Sequence, residues 1–207
     1  MEKTKRKEIE FQLRRSEILT TAVKIFASKG FYTTTMAEIS DASGFSIGTL
    51  YQFFESKENL YTSMICEKLD MMYSGIREKV DGAEHAIDKI ETLIKAYFNY
   101  VENNIDFCNL FIRGEGTVPS EEKTQLREKV IKDYLNHMDF IQGIMRLGMD
   151  TAYLRVCDPR IMAFSLFGVI RAHIVGWMLK NHDYPLSDKV ECVLKIFLRG
   201  VGAEVRE

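Results

Sequence analysis

Proline is nearly missing from this chain. The only three, Pro119, Pro159 and Pro185, lie in its second half, so nothing before them interrupts the backbone ladder of a helix. Apolar residues recur at helical spacing and no run alternates with period two for long, which leaves strands little support. The expected fold class is therefore all-α. At 207 residues there is room for one or two domains with a sizeable core. No apolar stretch is expected to reach the roughly 20 residues needed to cross a bilayer, and no leader pattern opens the chain. A cytoplasmic protein is expected.

Helix boundaries can be read from their punctuation. Ile18, Ala22, Ile25 and Phe26 form the stripe of a first helix, stopped by Gly30 in the left-handed position that ends helices. Thr35 with Glu38 three residues on is a capping box, so a second helix starts there. Ser43-Gly44 ends it. Ser46 caps a third helix of about two turns, and Ser56 a fourth that runs to about Val80. A longer helix followed by two short ones around a glycine turn is the helix-turn-helix pattern.

Beyond Ala83 everything reads as helix. Ile87, Ile90, Ile94, Tyr97, Phe98 and Val101 make one stripe; a short helix spans about Ile105–Arg113 and ends at a loop from Gly114 to Pro119. Ser120 opens a long helix to Met149. Asp158-Pro159 is an N-cap with proline at the first helical position, opening a helix to about Lys180, and a last helix follows Pro185. The domain boundary is placed at 60/61, giving 1–60 and 61–207.

The third helix raises a question of purpose. Gly48 within two turns costs about 1 kcal/mol relative to alanine; close approach to a duplex would explain it, as would packing on the first helix. Lys57 in the first turn of a helix opposes the macrodipole, which makes sense beside a phosphate, or if the side chain is merely solvated. Thr49, Tyr51 and Gln52 project groups that bond phosphates and base edges. Charge is balanced overall, 28 Lys+Arg against 30 Asp+Glu. It is bunched locally, with Lys3, Lys5, Arg6, Lys7, Arg14 and Arg15 near the start. That run reads as a solubilising tail or as an arm reaching DNA.

Gly30-Phe31, Thr35 to Ile39, Ala42, Gly44, Ser46 to Tyr51, Phe54, Ser56-Lys57-Glu58 and Leu60 together resemble the DNA-binding module of the TetR (TetR/AcrR) repressor family. The resemblance covers about residues 13–65 in detail and the whole chain in length and helix count. It implies a homeodomain-like N-terminal domain, a larger ligand-binding and dimerisation domain, and about nine helices in all. It also implies a homodimer whose third helices enter successive major grooves of a near-palindromic operator. Thr35, Thr49, Tyr51 and Lys57 would then hold phosphates, while Ser46, Ile47, Gly48 and Gln52 face the groove. The sequence departs from the family pattern at Ile47, which is apolar, and at Phe53, where no polar contact is assigned.

The helix from Pro159 is apolar nearly all round and so should be buried on every side. Gly168, Ala172 and Gly176 form a small-residue ridge along it. A four-helix bundle made by two copies is expected, involving Phe164, Gly168, Ala172, Gly176, Val190, Leu194 and Phe197; burial within one subunit is the alternative. In the family, the preceding helices enclose an inducer pocket. Its candidate lining is Tyr97, Phe107, Phe111, Tyr134, His137, Met138, Ile141, Met145 and Trp177, suited to an apolar or amphipathic small molecule. Each of these is also an ordinary core residue type, with His137 expected on a solvated edge.

Catalysis is not expected. Nucleophile-elbow, P-loop and zinc-protease motifs are missing, and the histidines have no partner at metal-ligand spacing. Cys66, Cys108, Cys157 and Cys192 lack zinc spacing and read as buried free thiols. No cofactor or metal is assigned. A helical module that binds protein is the remaining rival. Salt separates it from DNA binding, whose affinity falls steeply as salt rises.

Overall fold

The computed structural model describes residues 2–113, 120–180 and 182–201. Among them are nine α-helices: α1 Glu2–Lys29, α2 Met36–Ser43, α3 Ile47–Phe53, α4 Lys57–Asp81, α5 Ala86–Asn103, α6 Ile105–Arg113, α7 Ser120–Asp150, α8 Pro159–Leu179 and α9 Val190–Val201. A 3₁₀ turn, Leu186–Lys189, leads into α9. The expected loop from Gly114 to Pro119 lies outside the described residues. The chain forms two compact units, one of Met1–Lys68 with Asp106–Lys129, the other of Leu69–Ile105 with Val130–Glu207. The division passes through α4 and α7, eight residues beyond the expected 60/61 in α4, and it assigns most of α6 to the first unit.

The caps are built as the sequence suggests. Thr35 Oγ1 accepts from Glu38 N at 3.2 Å, while Thr35 N donates to Glu38 Oε2 at 2.9 Å. Gly30 and Gly44 take φ of 79° and 73°, a conformation that costs glycine little. Ile18, Ala22, Phe26, Ile39, Leu50, Phe54, Leu60 and Met64 fill the core of the first unit. Beside them the rings of Phe26, Phe31 and Tyr61 lie 5.0–5.9 Å apart.

α1 starts far earlier than its core stripe required. Residues 2–17 are helical, not an irregular tail. Helix formers dominate the segment, Arg14 pairs with Glu10 at 2.5 Å, Gln12 donates to Glu8 at 2.9 Å, and Phe11 lies against Phe53.

The second unit is a bundle in which α5 contacts α8, α9 and the 3₁₀ turn. Ile90, Leu93, Ile94, Phe98, Met138, Ile141, Met145, Leu166, Ile170 and Val193 are buried there. Glu102 Oε1 accepts from Leu186 N at 2.5 Å, anchoring the turn before α9. Leu154 is clasped to the end of α7, with its N–H on Gly148 O at 2.9 Å.

Two expectations are corrected. α8 is in fact long and apolar enough to cross a membrane, with a mean hydropathy of 1.6 over the 18-residue window. We read it as a bundle helix, because Met162, Ala163, Leu166, Ile170, Ile174 and Trp177 are buried in the unit and Arg171 sits mid-helix. The cysteines are free, but only Cys108 is buried; Cys66 is half-buried, and Cys157 and Cys192 are exposed. Cys157 belongs to the loop before α8 and Cys192 to the outward side of α9, so neither joins an apolar stripe.

Candidate nucleic-acid interface and ligand core

α3 buries one side chain and offers the rest. Leu50 is fully buried, while Ser46, Ile47, Gly48, Tyr51 and Gln52 are exposed and Thr49 is half-buried. Ile47 and Tyr51 keep 45% and 52% of their surface in solvent, so two large side chains stand open on the face opposite Leu50. Ser46 Oγ accepts from Thr49 N at 3.1 Å and lies 2.9 Å from Thr49 Oγ1, fixing the start of the helix. A Cβ on Gly48 would approach only Ser46 Oγ, at 3.8 Å. Packing therefore does not require this glycine; its backbone lies open on the exposed face.

Thr35, at the start of α2, is exposed beyond its capping role. Its partner Glu38 is held below the usual carboxylate range, first by the Lys29 ammonium at 2.5 Å and then by the Thr35 N–H.

Lys57 makes main-chain contacts that the phosphate reading did not anticipate. Its ammonium donates to the main-chain oxygens of Phe31 at 2.9 Å and Thr34 at 2.8 Å, with Tyr32 O at 3.5 Å. It also sits 4.5 Å from the centroid of the Phe31 ring. Three carbonyls and an aromatic face engage this cation, so its first role is to hold the turn between α1 and α2 against α4.

The candidate ligand residues fall into both units. Phe107 and Phe111 stack on each other at 5.9 Å on α6, within the first unit. The others belong to the second. Tyr97, His137, Met138, Ile141, Met145 and Trp177 are all buried there, Tyr134 partly so. His137 is fully buried rather than on a solvated edge, because it shares the inward stripe of Met138, Ile141 and Met145. Its Nε2 lies 2.5 Å from the Tyr97 hydroxyl, and its ring stacks on Tyr73 at 4.4 Å. Nδ1 is buried and has no hydrogen-bond partner. Burial, with Arg77 nearby, pushes the imidazole down to about 4, so it is neutral at physiological pH. Burial likewise raises the Tyr73 phenol to about 12 and lifts that of Tyr97 well above its ordinary value. Tyr97 and Tyr134 also meet the Phe167 ring at 5.6 and 5.5 Å. Trp177 Nε1 donates to Tyr184 O at 2.6 Å.

Tyr73 and Arg77 were not singled out in the sequence, because α4 was read for its DNA-facing start. They line an open groove of about 840 Å³ together with Asp70, Glu78, Asp133 and Asn136.

The expected dimer residues divide by exposure. Gly168 and Ala172 are exposed, Phe164, Gly176 and Leu194 half-buried, and Val190 and Phe197 buried within the subunit. α8 is thus covered on one side only. Its open side adds Ile161 at 60% and Leu179 at 79% exposure, and Ile196 is open on α9. A Cβ on Gly168 or Gly176 would meet nothing.

The sequence pattern of bacterial regulatory proteins of the tetR family matches residues 18–64. That of the YsiA-like protein C-terminal region matches 65–200. The fatty acid metabolism regulator protein of Bacillus subtilis is 23% identical over 186 residues, covering 89% of this chain and 94% of that one. An HTH-type transcriptional regulator of the same organism, YuxN, is 33% identical over 182 residues, covering 86% of this chain and 59% of its own. The crystal structure of FadR from Bacillus subtilis in complex with stearoyl-CoA shares the fold with a TM-score of 0.77 at 21% identity, over 89% of this chain and 98% of that one. With its helix-turn-helix head and helical second unit, this chain belongs to the TetR family of transcriptional regulators.

Proposed function

We propose that the protein is a dimeric, ligand-responsive DNA-binding regulator, acting as a repressor at a near-palindromic operator and released by a small amphipathic molecule. The observation that carries the reading is the open row Ile47, Gly48, Tyr51 and Gln52 on a helix whose other side is anchored by buried Leu50. Ser46, Gly48 and Gln52 face base edges, Ile47 meets a thymine methyl, and Thr35, Thr49 and Tyr51 bond phosphates. Lys57 acts indirectly, by holding the turn that positions α2. Two such heads need a two-fold partner; the uncovered side of α8, with Ile161, Gly168, Ala172 and Leu179, supports a second copy there.

The aromatic core of the second unit supports a ligand of mixed polarity. Tyr97, Tyr134 and Phe167 offer apolar faces, and the unpartnered Nδ1 of His137 is a buried polar atom that a ligand group can satisfy. A long-chain acyl thioester, the class bound in the FadR crystal structure, has this character. Its binding must favour one arrangement of the heads, with coupling typically of about 1–3 kcal/mol.

Selection of genomic fragments by the purified protein tests the reading. Recovery of an inverted-repeat duplex, released by stearoyl-CoA but not by free coenzyme A, is expected. Failure to retain any duplex in dilute buffer without ligand would refute DNA binding, and retention unaffected by acyl thioesters would refute the ligand class alone.

A further inference from the structure

We infer that the N-terminal turns of α1 form a second, sequence-independent DNA contact, gripping phosphates just outside the segment read by α3. The inference rests on the proposed DNA-binding function but concerns a surface that α2 and α3 do not provide. Neither of those helices contains a lysine or arginine, an odd composition for a surface meant to meet a polyanion. Nor do the nearby cations supply one. Arg14 is paired with Glu10, Arg15 with Glu67 and Lys29 with Glu38, and the Lys57 ammonium lies on main-chain carbonyls. Among the described side chains before residue 60, the cations with no acid or carbonyl partner are Lys5, Arg6, Lys7 and Lys24. Residues 1–60 hold nine cations against eight acids, but without residues 1–7 the balance becomes five against seven. The attraction of the head for DNA is therefore concentrated in one short run.

The structure gives that run a fixed address. It is helical and continuous with α1, although cations at a helix N-terminus oppose the macrodipole. The macrodipole thus gives no reason for placing them there. Phe11 packs on Phe53, with ring centroids 4.4 Å apart. Phe53 is the last residue of α3 and the neighbour of Gln52, so the contact sets the early turns of α1 beside the C-terminal end of the reading helix. Lys7 lies one turn before Phe11 on the same face, and Lys5–Lys7 fall about 6–9 Å further along the axis at the helical rise. That reach suits the phosphates flanking a bound major groove. Contacts to phosphate add affinity without sequence preference.

The full-length protein with Lys5, Arg6 and Lys7 all changed to Gln is compared with wild type on a selected operator duplex and a scrambled duplex, by fluorescence anisotropy over a salt series. The triple variant should bind both duplexes at least about tenfold more weakly, with the slope of log K against log salt reduced by about 2–3, near 0.9 per phosphate lost. Its preference for the operator should be unchanged. Phe11→Ala keeps every charge yet should lose part of the same slope, with circular dichroism and dimer size as in wild type. A wild-type slope in the triple variant overturns the contact, and a wild-type slope in Phe11→Ala overturns the docking through Phe53. Wild type that binds neither duplex refutes the DNA-binding function itself, a result distinct from both.

Discussion

Protonating His137 should cost the second unit a measurable part of its stability. The imidazole is fully buried, lies between the Tyr73 ring and the Tyr97 hydroxyl, and is depressed from 6.5 to about 4 by burial and by Arg77. In the unfolded chain it titrates at its ordinary value, so below that value the unfolded state binds the extra proton and gains free energy. The native protein resists until about 4. The contribution is thus present above about pH 6.5 and falls as pH drops toward the folded value. Between about pH 7.5 and pH 5 the loss is about 2 kcal/mol, rising to about 3 kcal/mol near pH 4. Trp177 is the single tryptophan and is buried in the same unit, so its fluorescence reports unfolding there. Urea titrations at matched protein concentration, for wild type and His137→Gln, separate this site from the carboxylates, which titrate alike in both. Wild type should lose about 2 kcal/mol more than the variant over that pH interval. Equal losses would show that His137 does not titrate as its burial requires.

Lys57→Ala should lower head stability by about 1–3 kcal/mol by leaving carbonyls of the α1–α2 turn without a donor; a melting temperature within a degree or so of wild type would refute that role. Gln52→Ala should narrow the affinity gap between operator and scrambled duplex by about 1–3 kcal/mol, and an unchanged gap would place Gln52 off the bases. Gly48→Leu should abolish operator binding with folding preserved, since a Cβ there would make only an ordinary 3.8 Å contact with Ser46 Oγ; unfolding on calorimetry would contradict this. Gly148→Ala should cost about 1–3 kcal/mol through overpacking, because its Cβ would fall 2.6 Å from Leu154 Cδ1; an unaltered urea midpoint would show that Leu154 yields freely.

Punctuation made most helix ends legible. Thr35, Ser46 and Asp158 cap through their own side chains within a few residues, and such local bonds leave their pattern in the sequence. The exposed row on α3 was readable for the same reason, as Leu50 marks the inner side of a two-turn helix. What escaped depended on distant partners. Nothing local announces that Lys57 will reach carbonyls more than 20 residues back, or that Phe11 will find Phe53. His137 was misplaced because a polar residue was weighed by its chemistry, whereas the stripe of Met138, Ile141 and Met145 already placed it inward. Val190 and Phe197 share the helical period of Leu194, and period alone does not say whether an apolar stripe meets its own subunit or another.

The lysine that opens α4 also limits how the head can respond to a signal. Because one ammonium clasps the main chain between the first two helices, the opening turn of α4 cannot swivel without dragging that segment along. Local melting or sliding at this joint would strand several oxygens at once. On the function proposed above, an effector would therefore be expected to move the head as one solid piece, because the clasp ties α4 to the segment between the first two helices.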